Sequence, residues 1–91
     1  MDEIWIDGER LKTIGEVHDL LAAALSFPAW YGRNPDALFD CLTEPHRPVR
    51  MHVVHEDQLA RRLGDSWQPI RAALEAAAEE TPRVALVFDE A

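Results

Sequence analysis

Asp36 and Asp40 stand one helical turn apart in the stretch PAWYGRNPDALFDCL, residues 28–42, with Phe39 between them and Trp30 and Tyr31 just ahead. Carboxylates pair with arginine and lysine, and large aromatics anchor protein contacts. This set of residue types therefore suits the docking of a basic surface rather than bond-making chemistry. Fold stability does not account for it. Asp36 would gain about 0.3–1 kcal/mol from the positive end of a helix starting at Pro35, an effect that fades within a turn. Asp40 lies beyond that reach, and like charges at i and i+4 repel by a few tenths of a kcal/mol. The competing reading is that Trp30 and Tyr31 fold under the loop as core, leaving two ordinary solvated acids.

Other chemistry finds little support. There is no glycine-rich phosphate loop, no nucleophile motif, and no Cys and His cluster at metal-ligand spacing. His52 and His55 are three residues apart at the end of a strand-like run, so they point to opposite faces and do not form a chelating pair. Asp36 and Asp40 lack an evident third ligand for a divalent cation. His18 lies beside an apolar helical stripe and reads as a partly exposed helix residue. The expectation is a protein that is not an enzyme, with no catalytic residues, no metal and no cofactor.

The charge balance points the same way: nine basic against seventeen acidic residues give a formal net charge of −8. That disfavours nucleic acid or an anionic membrane as a direct partner and favours a basic protein surface. A lone cysteine, Cys41, cannot close an intrachain disulfide, and the chain opens with Met1-Asp2-Glu3 rather than a basic and apolar leader. A cytoplasmic protein is the simplest expectation. No stretch approaches the roughly 20 apolar residues of a membrane span.

The elements that must position the acidic patch follow from pattern. Asn34-Pro35 is a strong helix start, since the Asn side chain accepts from a first-turn N–H and proline at the first position gives up a donor already orphaned. The helix runs over 35–43, with Leu38, Cys41 and Leu42 on its buried stripe. Upstream, Glu3 to Asp7 alternates as a short strand and Asp7-Gly8 supplies a turn. Thr13 and Glu16 have capping-box spacing, and Ile14, Val17, Leu20, Leu21, Ala24 and Leu25 form a helical stripe that Pro28 forbids from continuing. Downstream comes a proline-rich loop at 44–48, then a strand over 49–54 covered mainly on one side. A short helix over 56–63 with Leu59 and Leu63 inward ends at a Gly64 C-cap. Ser66 is placed to cap a last helix that buries Ile70, Ala73, Leu74 and Ala77 and shows Glu75, Glu79 and Glu80 outward. Val84 to Phe88 is an apolar run of strand length.

Strands separated by helical crossovers imply parallel pairing through right-handed connections. The fold class is therefore α/β: one domain over 1–91, a three-stranded parallel sheet with about four helices packed mainly on one face.

Two quoted segments carry a resemblance that periodicity does not supply. IDGERLKTIGEVHDLLAAAL resembles the opening of the barstar family of intracellular ribonuclease inhibitors. FPAWYGRNPDALFDCLT is similar to that family's pattern of Pro, two aromatics, Gly, any residue, Asn, any residue, Asp-Ala-Leu, aromatic, Asp-Cys-Leu-Thr. The likeness extends over essentially the whole chain and implies the same three-stranded parallel sheet with four helices. It also implies that the loop and second helix plug a ribonuclease active site, with carboxylates standing in for RNA phosphate. On this basis Trp30, Gly32, Asn34, Asp36, Phe39 and Asp40 are expected at the interface, with Asp40 as the anionic plug. The family's acidic pair on the last helix is expected at Glu75 and Glu79.

The departures fall around the carboxylates. Trp30, Pro35 and Phe39 stand where barstar has tyrosine, leucine and tryptophan. Glu44-Pro45-His46-Arg47 replaces its Gly-Trp loop, and its second cysteine is missing. These changes keep the central carboxylates but alter the rim, so the expected partner is a small secreted or toxin ribonuclease, basic and microbial, barnase-like or guanyl-specific, rather than barnase itself. The alternative is an acidic interaction or immunity module whose basic partner is not a ribonuclease.

Overall fold

The computed structural model describes residues 2–44 and 47–89. Pro45 and His46, in the loop expected at 44–48, lie outside the described residues. In chain order the elements are β1 (Asp2–Asp7), α1 (Ile14–Leu25), α2 (Pro35–Thr43), β2 (Val49–Val54), α3 (Glu56–Leu63), a 3-10 turn (Gly64–Ser66), α4 (Trp67–Glu80) and β3 (Val84–Asp89). The strands form one sheet in the order β1-β2-β3, both pairings parallel. Register puts Ile4 beside Met51 and Leu86, and Ile6 beside Val53 and Phe88. Ile4, Ile6, Val49, Met51, Val53 and Val84 are buried, which is the face the helices cover. No helix of the described residues is long and apolar enough to cross a membrane.

Helix α1 starts as its sequence requires. The Thr13 hydroxyl accepts from Glu16 N–H at 3.1 Å while the Glu16 carboxylate accepts from Thr13 N–H at 3.2 Å, closing the capping box. Val17 and Leu21 are fully buried, whereas Ala24, placed on the same stripe by spacing, is exposed. His18 corrects the sequence expectation: it is only 4% exposed, because Tyr31 from the following loop covers it.

Ser66 is a second correction. Its backbone is helical and its side chain caps nothing, because the 3-10 turn runs directly into α4 and Trp67 N–H donates to Gly64 O instead. That continuity carries Trp67 into the core, where it is fully buried. Its indole N–H donates to Glu56 Oε2 at 3.0 Å, so the one polar atom of the ring is satisfied. Gly64 does end α3, at φ +57°.

Gly8 is required by closeness. A Cβ there would sit 2.2 Å from the His55 carbonyl oxygen, so the turn after β1 lies directly against the start of α3.

The uncovered face of the sheet carries Trp5, His52 and Val87 in one row across the strands. The His52 ring stacks on Trp5 with centroids 4.8 Å apart and planes 7° from parallel. Its Nε2 lies 2.8 Å from Glu3 Oε1 on β1 and its Nδ1 3.0 Å from Asp89 Oδ2 on β3. One imidazole thus bridges all three strands. Both nitrogens face carboxylate oxygens, which suits the doubly protonated ring. The bond to Glu3 is the main cause that raises the His52 pKa; partial desolvation opposes it and the Asp89 bond adds to it. With the folded value above the ordinary 6.5, the bridge contributes fully below pH 6.5 and is lost as pH rises through the folded value. Denaturant midpoints of the parent and of His52→Gln should therefore draw together as pH rises above 6.5. A gap independent of pH would contradict the bridge.

Candidate functional site

The acidic patch is built on the connection between α1 and α2. Helix α1 ends at Ser26 in the left-handed conformation, φ 55°, and Phe27 N–H donates back to Ala22 O at 3.0 Å. The chain then turns at Pro28, where Tyr31 N–H donates to the Pro28 carbonyl at 2.9 Å. Here the two aromatics part. Tyr31 is buried, with its ring 4.9 Å from that of Phe27 and its hydroxyl 2.7 Å from His18 Nδ1. Trp30, one residue earlier, is 75% exposed, the most exposed of the large hydrophobic side chains described. The competing reading of the sequence was thus right for Tyr31, and Trp30 is left outside.

Burial sets the protonation of the Tyr31–His18 pair. Desolvation, with a smaller contribution from Cys41 and against the opposing charge of Arg33, pushes the Tyr31 phenol up to about 12. Desolvation, helped by the nearby Arg33 charge, lowers the His18 pKa. Both rings are held neutral, and the single hydrogen bond between them satisfies two buried polar atoms.

Arg33 pins the same loop from outside. It pairs with Asp19 through Nη1 and donates from Nη2 to Gly15 O at 3.1 Å, both on α1. This draws the loop's cation back toward α1 and away from α2. Asn34 then caps α2: its Oδ1 accepts from Ala37 N–H at 2.8 Å and its Nδ2 donates to Gly32 O at 3.3 Å. A Cβ at Gly32 would crowd that amide at 3.1 Å, so glycine lets the cap lie flat over the loop.

On α2, Leu38, Cys41 and Leu42 are buried, as the periodicity requires. Burial raises the Cys41 thiol pKa, and the charges of Glu44 and Asp40 add to it, so the sulfur stays protonated and poorly nucleophilic. Asp36 and Asp40 are exposed, and neither carboxylate pairs with a cation among the described residues. Phe39, half-buried, leans against the core from between them. Trp30, Gly32, Asn34, Asp36, Phe39 and Asp40 therefore share one continuous loop and helix.

The acids of the last helix lie on different sides of it. Helix α4 packs on α2, and a shallow cleft of about 370 Å³ between them is lined by Asp36, Phe39, Pro69, Ala72 and Ala76 among others. Glu75 lies about 100° around the helix from Ala76. It is held by Arg71, whose Nε is 3.2 Å from Glu75 Oε1, while Arg71 also bonds Glu56 at 2.5 Å and stands over the Phe88 ring. The structure turns Glu75 toward α3 and β3, not toward α2. Glu79 is exposed, three residues beyond Ala76. Glu80, at i+4 from Ala76 and i+8 from Ala72, continues the line of alanines that borders α2.

The two histidines weighed as a pair also part company. His52 joins Glu3 and Asp89 on the open sheet face, whereas His55 lies beyond the end of β2 beside Asp7 and Glu9.

Comparison with known proteins bears on the whole chain. The family described as Barstar (barnase inhibitor) matches residues 1–89. The chain belongs to the barstar family. It is also 54% identical over 43 residues to a Bacillus subtilis (strain 168) protein named "Putative ribonuclease inhibitor YrdF". That segment is 47% of this chain and 47% of the relative, so the match spans about half the length of each. In this barstar-family chain the loop leading to α2 hangs on the buried Tyr31 hydroxyl. Tyr31→Phe should leave His18 Nδ1 buried without a partner and cost about 1–3 kcal/mol of stability. A chemical-denaturation midpoint unchanged from the parent would refute that dependence.

Proposed function

We propose that this chain inhibits a small basic microbial ribonuclease, barnase-like or guanyl-specific, by laying the 30–40 surface over its active site. The observation that carries this reading is the pair of exposed carboxylates Asp36 and Asp40 on one helix, neither paired with a cation among the described residues, in a chain whose family is described as a barnase inhibitor. A ribonuclease active site must hold cationic groups to stabilise charge on the scissile phosphate. Those cations are what an RNA-mimicking carboxylate would meet. Asp40 is the central plug in this reading and Asp36 its charged neighbour. Trp30 and Phe39 give apolar contact around them, and Gly32 and Asn34 hold the backbone close.

The acids of α4 act at longer range. Glu79 and Glu80 flank the α2 surface and steer a basic partner through the net field of the chain. Glu75, held by Arg71, contributes to that field from further away. Steering of this kind is screened over about 8–10 Å at ordinary ionic strength.

Barnase and a guanyl-specific ribonuclease serve as the two probes, first in an RNA-cleavage assay at equal concentrations of enzyme and inhibitor. Stopped-flow rates then separate the acids. Removing one member of a desolvated charge pair costs about 2–5 kcal/mol, a range whose measured cases include barnase and barstar themselves. Asp40→Ala should accordingly raise the dissociation rate at least about thirtyfold. Glu80→Ala should mainly slow association at low salt, with the difference vanishing at high salt. An Asp40→Ala variant that binds as tightly as the parent would mean that α2 is not the plug.

A further inference from the structure

A second cluster of chemistry-bearing side chains lies at the end of the sheet, separate from the acidic patch. Asp7 is the last residue of β1, Glu9 stands in the turn after it, and His55 follows β2. One carboxylate oxygen of Asp7, one of Glu9 and one imidazole nitrogen of His55 all lie within 4.8 Å of one another. Among the described residues this is the one group of three such ligands that converges. We propose that Asp7, Glu9 and His55 form a binding site for a divalent transition-metal ion, with Zn²⁺ the best match.

The donor set and spacing support zinc. One imidazole nitrogen with two carboxylate oxygens is a borderline set that Zn²⁺ accepts, commonly with a fourth position left to water. Ligands held 2.0–2.1 Å from a tetrahedral ion sit about 3.3 Å from each other. His55 Nε2 and Glu9 Oε1 are 3.4 Å apart, beyond the usual hydrogen-bond length but at that ligand spacing.

The backbone beneath is already fixed. Gly8 N–H donates to Val54 O at 2.9 Å, tying the turn to β2 just before His55. The Asp7 Oδ1 atom accepts from Glu9 N–H at 2.9 Å, and Arg62 Nη1 reaches from α3 to the carbonyls of Gly8 and Glu9 at 3.0 and 3.1 Å. Arg10 Nε lies 3.9 Å from Asp7 Oδ2, and its side chain is 87% exposed, so it is free to swing away. Two carboxylates would then face an incoming cation.

Asp7 closes β1 and His55 follows β2, so both ligands stand at the same end of the sheet. A cleft of about 420 Å³ opens beside Asp7, lined also by Trp5, Arg10, Leu11, Leu20 and Val54.

Calorimetric titration of the chelator-treated full chain with ZnCl₂ tests the proposal, with MgCl₂ as the hard-ion comparison. The variants are Glu9→Gln, which alters an exposed side chain, and His55→Asn, which keeps a residue tolerant of the left-handed backbone found there at φ 55°. Matching thermal midpoints without metal establish that both fold, and Cys41→Ser serves as a variant away from the site. The expected result is one Zn²⁺ per chain, weakened at least tenfold in both site variants, unchanged in Cys41→Ser and not reproduced by Mg²⁺. No saturable binding up to about 1 mM Zn²⁺, or binding equal to the parent in either site variant, overturns the proposal.

Discussion

The buried hydrogen bond between the Tyr31 hydroxyl and His18 Nδ1, 2.7 Å long, ties the loop of residues 26–34 to α1. Every feature of the acidic surface hangs from that loop. With Tyr31 turned in, Trp30 is turned out, and the chain reaches Asn34 in the extended conformation needed to cap α2. Arg33 could have neutralised the surface, but it is drawn to Asp19 and Gly15 instead. The physical consequence is a helix whose exposed carboxylates have no cationic partner among the described residues. Apart from the helix-end interaction of Asp36, such charge contributes little to the monomer, and in the proposed function its use lies in a partner.

The parallel sheet explains how so small a domain holds that helix still. Its inner face is an apolar floor from Ile4, Ile6, Met51 and Val53, on which Leu38, Leu42, Ile70 and Leu74 pack. Alanines 72, 73 and 76 let α4 approach α2, so the acidic helix is backed along its length rather than standing on a loop alone. The open face carries Trp5 and Val87 on either side of His52, which bridges Glu3 and Asp89 across the three strands.

Much of this was legible from residues alone because the signals are local. Asn34-Pro35 and the spacing of Leu38, Cys41 and Leu42 set α2 at its observed bounds, and the alternation of β1 and β2 chose the covered face. What local pattern did not reveal depends on tertiary approach. His18 looked like a flank residue because the group that buries it comes from thirteen positions away. Ser66 looked like a cap because a backbone turn that does the same work leaves no side-chain signature. Helix phase aligned Glu75 with the family's acidic pair but did not show that Arg71, four residues earlier, pairs with it. His55 meets Asp7 and Glu9 through the β1–β2 register, which pairs Asp7 with Val54 and has no trace in either segment.

The central claim is that the loop and helix of residues 30–40 form the surface that meets the ribonuclease. Amide hydrogen exchange, followed with the chain free and saturated with an inhibited ribonuclease, reads this directly. Protection should appear over the backbone from Trp30 to Asp40 and along the α2-facing edge of α4, while the Trp5–His52 sheet face exchanges as in the free chain. Protection confined to that sheet face, with residues 30–40 unchanged, would contradict the account.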